Sequence, residues 1–222
     1  MKGLLYWIGF VVLLTGLMSC KHQGQSLQSK AGFAVVPAAG KGQAVATFAG
    51  GCFWAMQECM IELKGVQQAI SVYAGGNTPN PGYQQVLTGA TGHAEAVQVY
   101  YDPQVISFEQ LATAFFAAHD PTQVDRQGPD VGTDYRSIAF FRDTTEYKVI
   151  SLLIDKINSS KQYKDPVATE ILPFRSAFGA EMEHQDYYPN NRLDAYIRQV
   201  SEPKVLGLRK KLPQLIKKEY LD

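Results

Sequence analysis

The chain has 222 residues, and its 21 lysines and arginines balance its 21 aspartates and glutamates, so its formal charge at pH 7 is zero. This length is sufficient for one domain with a substantial hydrophobic core. The balanced charge argues against a nucleic-acid-binding protein whose affinity comes from contacts between basic side chains and phosphates.

The first twenty residues have the pattern of an export signal. Lys2 precedes an apolar run at residues 4–17, and Cys20 follows the small residue Ser19. This pattern favours a bacterial lipoprotein signal peptide, residues 1–19, that is removed before Cys20, whose thiol then carries lipid. A simple membrane anchor is the alternative, although the apolar run is short for a full span. Either arrangement predicts a domain outside the cytoplasm, periplasmic or surface-facing, held at a membrane.

Residues 20–43 connect this anchor to the folded part of the chain. They are rich in Gln, Ser, Gly, Ala and Lys and show little periodicity, which is typical of a flexible tether. Residues 44–222 show no internal repeat and no second shift in composition. We therefore expect one folded domain over residues 44–222.

The first predicted elements of the domain surround a cysteine. Residues 45–49 form a short apolar run that predicts a buried strand, and residues 54–64 predict a helix that ends at Gly65. Cys52 lies between them, directly after a pair of glycines. Free backbone N–H groups and the helix dipole favour a thiolate at such a helix start. A nucleophile and a small buried core cysteine both fit this position.

The sequence around this cysteine resembles a known signature. The run Gly51-Cys52-Phe53-Trp54 resembles the active-site motif of the A-type peptide methionine sulfoxide reductases. The resemblance implies that Cys52 is the catalytic nucleophile and that the rings of Phe53 and Trp54 form an apolar substrate pocket. Taken alone, two adjacent aromatic residues are more often part of a core.

A turn-rich loop then carries a second motif. Residues 66–73 predict a strand, and the loop at residues 75–83 contains several Gly, Asn and Pro residues. This loop resembles the family's second signature, and the resemblance gives Tyr83 a substrate-binding position. Without it, Tyr83 is an ordinary amphipathic loop residue.

The third motif supplies a candidate acid. Alternating residues in the range 91–103 predict a strand on which Glu95 shares one face with Val97 and Val99. Burial on that face would raise the pKa of the Glu95 carboxyl and suit it to donate a proton near neutral pH. A solvated strand end is the alternative. The Gly-His-Ala-Glu run that ends at Glu95 matches the family motif containing the catalytic acid.

The fourth motif lies in a long polar loop. Residues 122–135 join a helix that begins at Phe108 to an apolar strand at residues 137–142. The loop resembles the family's next signature, which implies substrate-binding positions for Asp130 and Tyr135. On its own, an aspartate in such a loop is usually a turn former.

The C-terminal part continues the resemblance and then departs from it. The resemblance implies a substrate-binding role for Tyr196, but many members carry a recycling cysteine directly after this tyrosine. Here Ile197 follows, and no cysteine occurs after Cys59, so regeneration through a C-terminal disulfide is excluded. The tail, residues 204–218, is basic, predicts a partly helical segment, and is expected to be a solvated face.

The spacing of the remaining thiols favours an external reductant. Cys52 and Cys59 are seven residues apart, a rise of roughly 10.5 Å along a helix. A disulfide requires Cα atoms within about 7 Å. We therefore expect an external thiol, such as that of a thioredoxin-like protein, to regenerate Cys52. Resolution by Cys59 after fraying of the helix is the alternative.

The four motifs occur in the family's order, and the resemblance covers residues 44–210. It implies reduction of methionine S-sulfoxide, free or in proteins, through a sulfenic acid on Cys52, in repair after oxidation. Hydroxyls of Tyr83 and Tyr135 would bind the sulfoxide oxygen while Glu95 supplies a proton. We expect no metal, no organic cofactor and no nucleic-acid partner, and we expect a monomer.

Two other classes of function compete with this hypothesis. A Cys-His hydrolase would combine Cys52 with His93 or His184 and an aspartate, and it would lose activity when one histidine is replaced. The glutamate at the best-placed motif, where a hydrolase needs histidine, argues against it. A non-enzymatic surface lipoprotein that binds apolar ligands would be unaffected by Cys52→Ser.

The mixed order of predicted strands and helices favours an α+β fold, with helices packed on a mixed sheet. The resemblance implies a two-layer sandwich with ferredoxin-like character and long irregular loops. The chain then divides into a signal peptide at residues 1–19, a lipidated Cys20 with its tether at residues 20–43, and a methionine sulfoxide reductase domain at residues 44–222.

Overall fold

The structure is a computed structural model that describes residue 29 and residues 31–221. The predicted signal peptide, Cys20 and the first part of the tether lie outside the described residues. Within the described range, no helix combines the length and the apolarity needed to cross a membrane.

A six-stranded sheet forms the centre of the fold. Its strands, in chain order, are β1 (Ala44–Gly50), β2 (Val66–Ala74), β3 (Ala94–Tyr101), β6 (Ser137–Phe141), β7 (Glu170–Pro173) and β8 (Ala177–Gly179). A separate small hairpin pairs β4 (Arg126–Gln127) with β5 (Asp130–Val131). The helices are α1 (Phe53–Ile61), α2 (Tyr83–Val86), α3 (Phe108–Ala118), α4 (Thr144–Ser160), α5 (Tyr187–Asn190) and α6 (Glu202–Lys211).

The strand order is β7-β6-β1-β3-β2-β8. All neighbouring pairs are antiparallel except β6 and β7, which are parallel and are connected through α4. The elements β1, α1, β2, β3, α3 and β6 form a βαββαβ unit, the ferredoxin-like arrangement. The predicted α+β class with a mixed sheet and ferredoxin-like character is therefore confirmed.

Alternation along the strands gives the sheet two buried faces. Val97 and Val99 of β3 lie in the larger apolar cluster, with α1, α3 and α6, and there Phe48 stacks on Phe115 at 4.8 Å between ring centroids. Ile70 belongs to the smaller cluster on the opposite face. Because side chains two residues apart share a face, Glu95 also points to the side of α1.

Side-chain caps begin helices α3 and α4. The Ser107 hydroxyl accepts the N–H of Gln110 at 3.2 Å, and the Gln110 side chain accepts the N–H of Ser107 at 2.9 Å. The Asp143 carboxylate accepts the N–H groups of residues 145 and 146 at 2.8 and 2.9 Å. These bonds satisfy N–H groups that a helix start leaves without partners.

The end of the first helix was predicted incorrectly. Helix α1 ends at Ile61, one turn before Gly65. The chain leaves the helix because residues near the C-terminus pair with it: Leu63 forms a bridge with Ile216, and the Glu62 carbonyl accepts the N–H of Lys217 at 2.9 Å. Gly65 instead has a positive φ of 79° and lies so close to Val105 that a Cβ atom would be 2.9 Å from it.

The tether prediction is wrong for residues 31–37, which we call the N-terminal arm. Ala34 is buried, and its N–H donates to the Ala180 carbonyl at 2.8 Å. The Tyr100 hydroxyl donates to the Pro37 carbonyl at 2.6 Å. The arm is ordered by these contacts with the sheet, which composition alone does not reveal.

The tail is partly helical as predicted, but the prediction of a solvated face is wrong. Val205, Leu208 and Ile216 are fully buried, and Arg209 donates from Nε to Glu62 at 2.8 Å. Residues 205 and 208 lie one helical turn apart and share an apolar face, while Lys210 and Lys211 are exposed. The tail is therefore a packed part of the domain.

Candidate active site

Cys52 lies at the turn where β1 meets α1. It is the N-cap residue of α1, and Gly51 before it has a φ of 83°. A Cβ atom at Gly51 would lie 2.5 Å from the side chain of Gln127. Both the backbone conformation and the available space therefore require glycine at this turn.

The Cys52 side chain forms part of the wall of a cavity of about 290 Å³. Nine residues from six separate segments of the chain line this space. They are Cys52, Trp54, Tyr83, Glu95, Asp130, Tyr135, Tyr187, Asp194 and Tyr196. A larger cavity of about 410 Å³ lies between α3 and α4, but the residues that line it include no cysteine, histidine or other nucleophile suited to the predicted chemistry.

Glu95 is the acid whose charge affects the Cys52 thiol most strongly. It is 2% exposed, and its Oε2 accepts the N–H of Phe53 at 2.9 Å. Burial raises the pKa of Glu95 from 4.5 to about 8, the Phe53 hydrogen bond opposes the rise, and the charges of Asp134 and Asp130 add to it. The carboxyl is therefore protonated at neutral pH and can donate a proton.

The prediction of a resting thiolate at Cys52 is wrong. Burial and the charge of Glu95 raise the pKa of the Cys52 thiol well above its usual value. Hydrogen bonds with the Trp54 backbone N–H and the Tyr196 hydroxyl lower the pKa but do not reverse this rise. The helix start offers partners to a thiolate, yet desolvation beside a carboxyl group outweighs them, so the resting sulfur carries its proton.

Two phenols lie beside Glu95. Burial, followed by the charge of Glu95, raises the pKa of Tyr83 to about 12, and a hydrogen bond from Tyr135 moderates this rise. The same two causes raise the pKa of Tyr135. Both hydroxyls therefore keep their protons across the physiological range and can donate hydrogen bonds to an oxygen atom in the cavity.

A polar cluster closes the opposite side of the cavity. The Tyr196 hydroxyl donates to Asp130 Oδ2 at 2.6 Å, which joins the loop carrying the small hairpin to the C-terminal part. Asp194 accepts the backbone N–H of Tyr196 at 2.8 Å. These bonds fix the phenol of Tyr196 against the sulfur of Cys52.

The aromatic wall is formed by Trp54 and Tyr187. Their rings stack at 3.8 Å between centroids with an interplanar angle of 11°, and Tyr196 meets Trp54 edge-on at 5.6 Å. Tyr187 and Asp194 were not predicted as site residues. No spacing in the sequence signals them, since they reach the cavity only because the irregular C-terminal segment folds across α1.

The prediction that the Phe53 ring lines the pocket is not met. This ring is 1% exposed and packs between Tyr73 and His184, at 5.9 and 5.3 Å between centroids. The first residue of α1 points into the core because its neighbours Cys52 and Trp54 occupy the cavity side. Phe53 contributes to the site through its backbone N–H, which binds Glu95.

The histidines are not arranged for a Cys-His hydrolase. The His93 Nδ1 accepts the N–H of Gly76 at 3.0 Å, and Nε2 donates to the Thr78 carbonyl at 2.7 Å, so both nitrogens are bound to backbone. His184 packs against the ring of Tyr83 at 4.5 Å, and burial lowers its pKa. Its ring nitrogens have no partner among the described residues, and it does not line the cavity.

Cys59 lies about two turns further along α1 than Cys52 and does not line the cavity. It is fully buried, and both it and Cys52 are free thiols. Burial and the charges of Glu62 and Glu58 raise the pKa of the Cys59 thiol, so it is a poor nucleophile where it stands. Within the described part of the chain, no group of three or more His, Cys, Asp or Glu side chains is arranged to hold a metal ion.

Comparison with known proteins agrees with this geometry. A family model described as peptide methionine sulfoxide reductase matches residues 44–215, which include all nine residues that line the cavity. A Natronomonas pharaonis protein named peptide methionine sulfoxide reductase MsrA is 45% identical over 166 residues, covering 75% of this chain and 93% of that protein. One of the same name from Deinococcus radiodurans is 45% identical over 170 residues, covering 77% and 82%.

Solved structures of similar proteins share the fold. Methionine sulfoxide reductase A of Corynebacterium diphtheriae has a TM-score of 0.63 and 34% identity, covering 70% of this chain and 78% of that one. Reduced Mxr1 of Saccharomyces cerevisiae has a TM-score of 0.66 and 30% identity, covering 72% and 92%.

Proposed function

The chain belongs to the peptide methionine sulfoxide reductase family, and we propose that it reduces methionine S-sulfoxide to methionine through the thiol of Cys52. The observation that best supports this assignment is the shared cavity of a thiol, a protonated carboxyl group and two protonated phenols. A sulfoxide needs these groups, because its oxygen must be bound and protonated while a nucleophile attacks its sulfur.

The substrate would enter with its thioether methyl group against Trp54 and its oxygen toward Tyr83 and Tyr135. Hydrogen bonds from the two phenols and a proton from Glu95 withdraw electrons from the sulfur and make it electrophilic. A cavity with an apolar ring on one side and hydrogen-bond donors on the other distinguishes the two epimers. Only one epimer can place its methyl group against the ring while its oxygen reaches the donors. The proposed substrate is the S epimer, as the resemblance to the A-type reductases implies.

Proton transfer within the site explains how a protonated thiol can act as the nucleophile. As Glu95 gives its proton to the sulfoxide oxygen, the carboxylate that forms can take the proton of the Cys52 thiol beside it. The sulfur then attacks, the oxygen passes to Cys52, and the bond between that oxygen and the methionine sulfur breaks. Methionine sulfoxide is reduced to methionine, and Cys52 is oxidised to a sulfenic acid.

Two external thiols complete the cycle. The first attacks the sulfenic acid, forming a mixed disulfide with Cys52 and releasing water. The second attacks the mixed disulfide, frees the Cys52 thiol and leaves as part of an external disulfide. A protein with an exposed dithiol, such as a thioredoxin-like protein, is the reductant of suitable chemistry.

Cys59 is not required in this cycle, and Cys59→Ser is expected to retain turnover within about twofold of the wild type. Cys59 is fully buried and lies seven residues after Cys52, a rise of roughly 10.5 Å along α1. This separation exceeds the distance between Cα atoms that a disulfide allows. Steady-state rates with dithiothreitol and with a thioredoxin measure this effect, and Cys59→Ala controls for the buried hydroxyl. Loss of turnover together with a Cys52–Cys59 disulfide in the mass spectrum of oxidised wild type would assign the resolving role to Cys59.

The proposed activity is tested with the separated epimers of N-acetyl-methionine sulfoxide and dithiothreitol as reductant. The wild type should consume the S epimer and leave the R epimer unchanged. Hydrolysis of an ester or peptide substrate by the same preparation, with no loss of sulfoxide, would instead support a hydrolase.

We also propose that the protein is exported and anchored by lipid on Cys20, which would place the cavity in the cell envelope. The basic Lys2, the apolar run and the small residue before Cys20 support this assignment. Repair of oxidised methionine outside the cytoplasm then requires an exported thiol reductant. A monomeric protein on a lipid tether fits this role.

The anchor is tested by expressing the full chain and Cys20→Ser in a bacterium that processes lipoproteins. The wild type is expected in the membrane fraction, with an N-terminal Cys20 whose mass includes acyl chains. The Cys20→Ser variant should lack the acyl mass and keep residues 1–19. A wild type that keeps residues 1–19 in the membrane would instead identify a simple membrane anchor.

A further inference from the structure

Glu181 joins two structural elements behind the cavity. Its Oε2 accepts the hydroxyl of the fully buried Tyr73 at 2.8 Å, and its Oε1 accepts the backbone N–H of Tyr83, also at 2.8 Å. Glu181 follows β8 in the chain and does not line the cavity. It therefore contacts the backbone of a proposed substrate-binding residue without reaching the substrate.

The N-terminal arm holds the segment that contains Glu181. Phe33 forms a bridge with Glu181, Ala34 donates to the Ala180 carbonyl at 2.8 Å, and the Gly32 carbonyl accepts the N–H of Met182 at 3.0 Å. The residue on each side of Glu181 is thus bound to the arm. The arm lies before residue 44, where the match to the family model begins.

We propose that Glu181, braced by the N-terminal arm, is a positioning residue that fixes the phenol of Tyr83 for the sulfoxide oxygen. This inference rests on the proposed function of the cavity. Tyr83 is the first residue of α2, which has only four residues. The first N–H groups of a helix have no partner within it, and a single turn is not stable alone. The Glu181 carboxylate supplies the missing partner and sets the direction of the Tyr83 side chain.

Two substitutions of Glu181 distinguish the effect of its hydrogen bonds from the effect of its side-chain volume. In Glu181→Gln, the amide oxygen can accept the Tyr83 N–H while the amide nitrogen donates to the Tyr73 hydroxyl oxygen, so both bonds persist. In Glu181→Leu, both bonds are lost at similar side-chain size. A misplacement of catalytic groups by about 1 Å lowers rates by about a hundredfold, and we expect a smaller loss because the backbone of Tyr83 stays connected.

The test is a double-mutant cycle with N-acetyl-methionine S-sulfoxide and dithiothreitol. Glu181→Leu should lower kcat about tenfold, and Glu181→Gln should stay within about threefold of wild type. In a Tyr83→Phe background, which lacks the phenol, Glu181→Leu should change kcat less than about twofold. Equal losses in both backgrounds would show a merely structural role and overturn the proposal.

The contribution of the arm is tested with a separate variant. This variant also tests the proposal if Glu181→Leu does not fold. A Cβ atom at Gly179 would clash with the Ala34 carbonyl, so Gly179→Ala displaces the arm and leaves Glu181 intact. It should lower kcat about threefold in the wild-type background and have no effect with Tyr83→Phe. The control is Gly207→Ala, whose added Cβ atom meets nothing within 4 Å and should leave kcat unchanged.

The outcomes distinguish the inference from the function on which it rests. An active wild type in which Glu181→Leu and Gly179→Ala both keep full kcat would overturn the inference alone. A folded wild type without sulfoxide reduction would overturn both.

Discussion

Cys52→Ser is expected to lower kcat for methionine S-sulfoxide by roughly 10⁴-fold or more, to the level of the uncatalysed reaction. The loss is this large because the oxygen of the substrate must pass to the attacking atom. Sulfur can accept it as a sulfenic acid, whereas a serine oxygen cannot form the equivalent product under these conditions. The phenols and Glu95 would still bind the sulfoxide, so the dissociation constant of the substrate should change little.

Two measurements and a matched control make this expectation specific. Single-turnover reduction without added thiol should give one equivalent of methionine from the wild type and none from Cys52→Ser. A dione reagent that traps sulfenic acids should label the wild type at Cys52 after one turnover. Cys59→Ser, which changes the other thiol of the domain in the same way, is the matched control and should behave as wild type. Methionine formation by Cys52→Ser would contradict the proposed nucleophile.

The raised pKa of the Cys52 thiol also protects the resting sulfur from oxidants. A thiolate reacts with peroxides and disulfides far faster than a thiol does. Here burial keeps the proton on the sulfur until Glu95 protonates a sulfoxide and its carboxylate removes the proton of the thiol. The nucleophile is thus formed together with its substrate, which limits side reactions of the resting enzyme.

Local sequence patterns predicted the part of the site that lies on regular elements. The apolar run of β1, the glycine turn and the start of α1 fix Cys52, and alternation along β3 fixes the direction of Glu95. These predictions hold because strand and helix periodicities determine which side chains share a face. Local patterns did not predict the protonation state of Cys52. The pKa of its thiol depends on burial and on Glu95, which lies 43 residues away in the sequence.

The C-terminal part of the site could not be predicted in the same way. Asp194 and Tyr187 come from short helical turns and bends without a periodic pattern, and a resemblance was needed even for Tyr196. The N-terminal arm is similar, because its composition is that of a tether while its backbone groups pair with residues 180–182. Segments of this kind acquire their structure from the surface they cover, so their contacts appear only in the folded chain.

The second large effect is expected at Glu95. Glu95→Gln should lower kcat by about 10² to 10⁴-fold, the usual contribution of a general acid, because an amide can donate a hydrogen bond but cannot transfer a proton. In the wild type, the acid is protonated below its pKa of about 8, so kcat should be level at neutral pH and fall as Glu95 ionises above about pH 8. The Glu95→Gln variant should lack this alkaline decline.

The same substitution should affect stability in the opposite direction, which separates a catalytic from a structural role. The folded state raises the pKa of Glu95 from 4.5 to about 8, so it holds this proton more tightly than the unfolded chain does. The corresponding stability is complete below about pH 4.5 and is lost as the pH rises through about 8. Glu95→Gln carries no such charge and can still accept the Phe53 N–H. Its unfolding temperature should therefore exceed that of the wild type more at pH 9 than at pH 6. A variant with lower activity and lower stability at both pH values would show that Glu95 serves to hold the fold together, and its role as the proton donor would have to be abandoned.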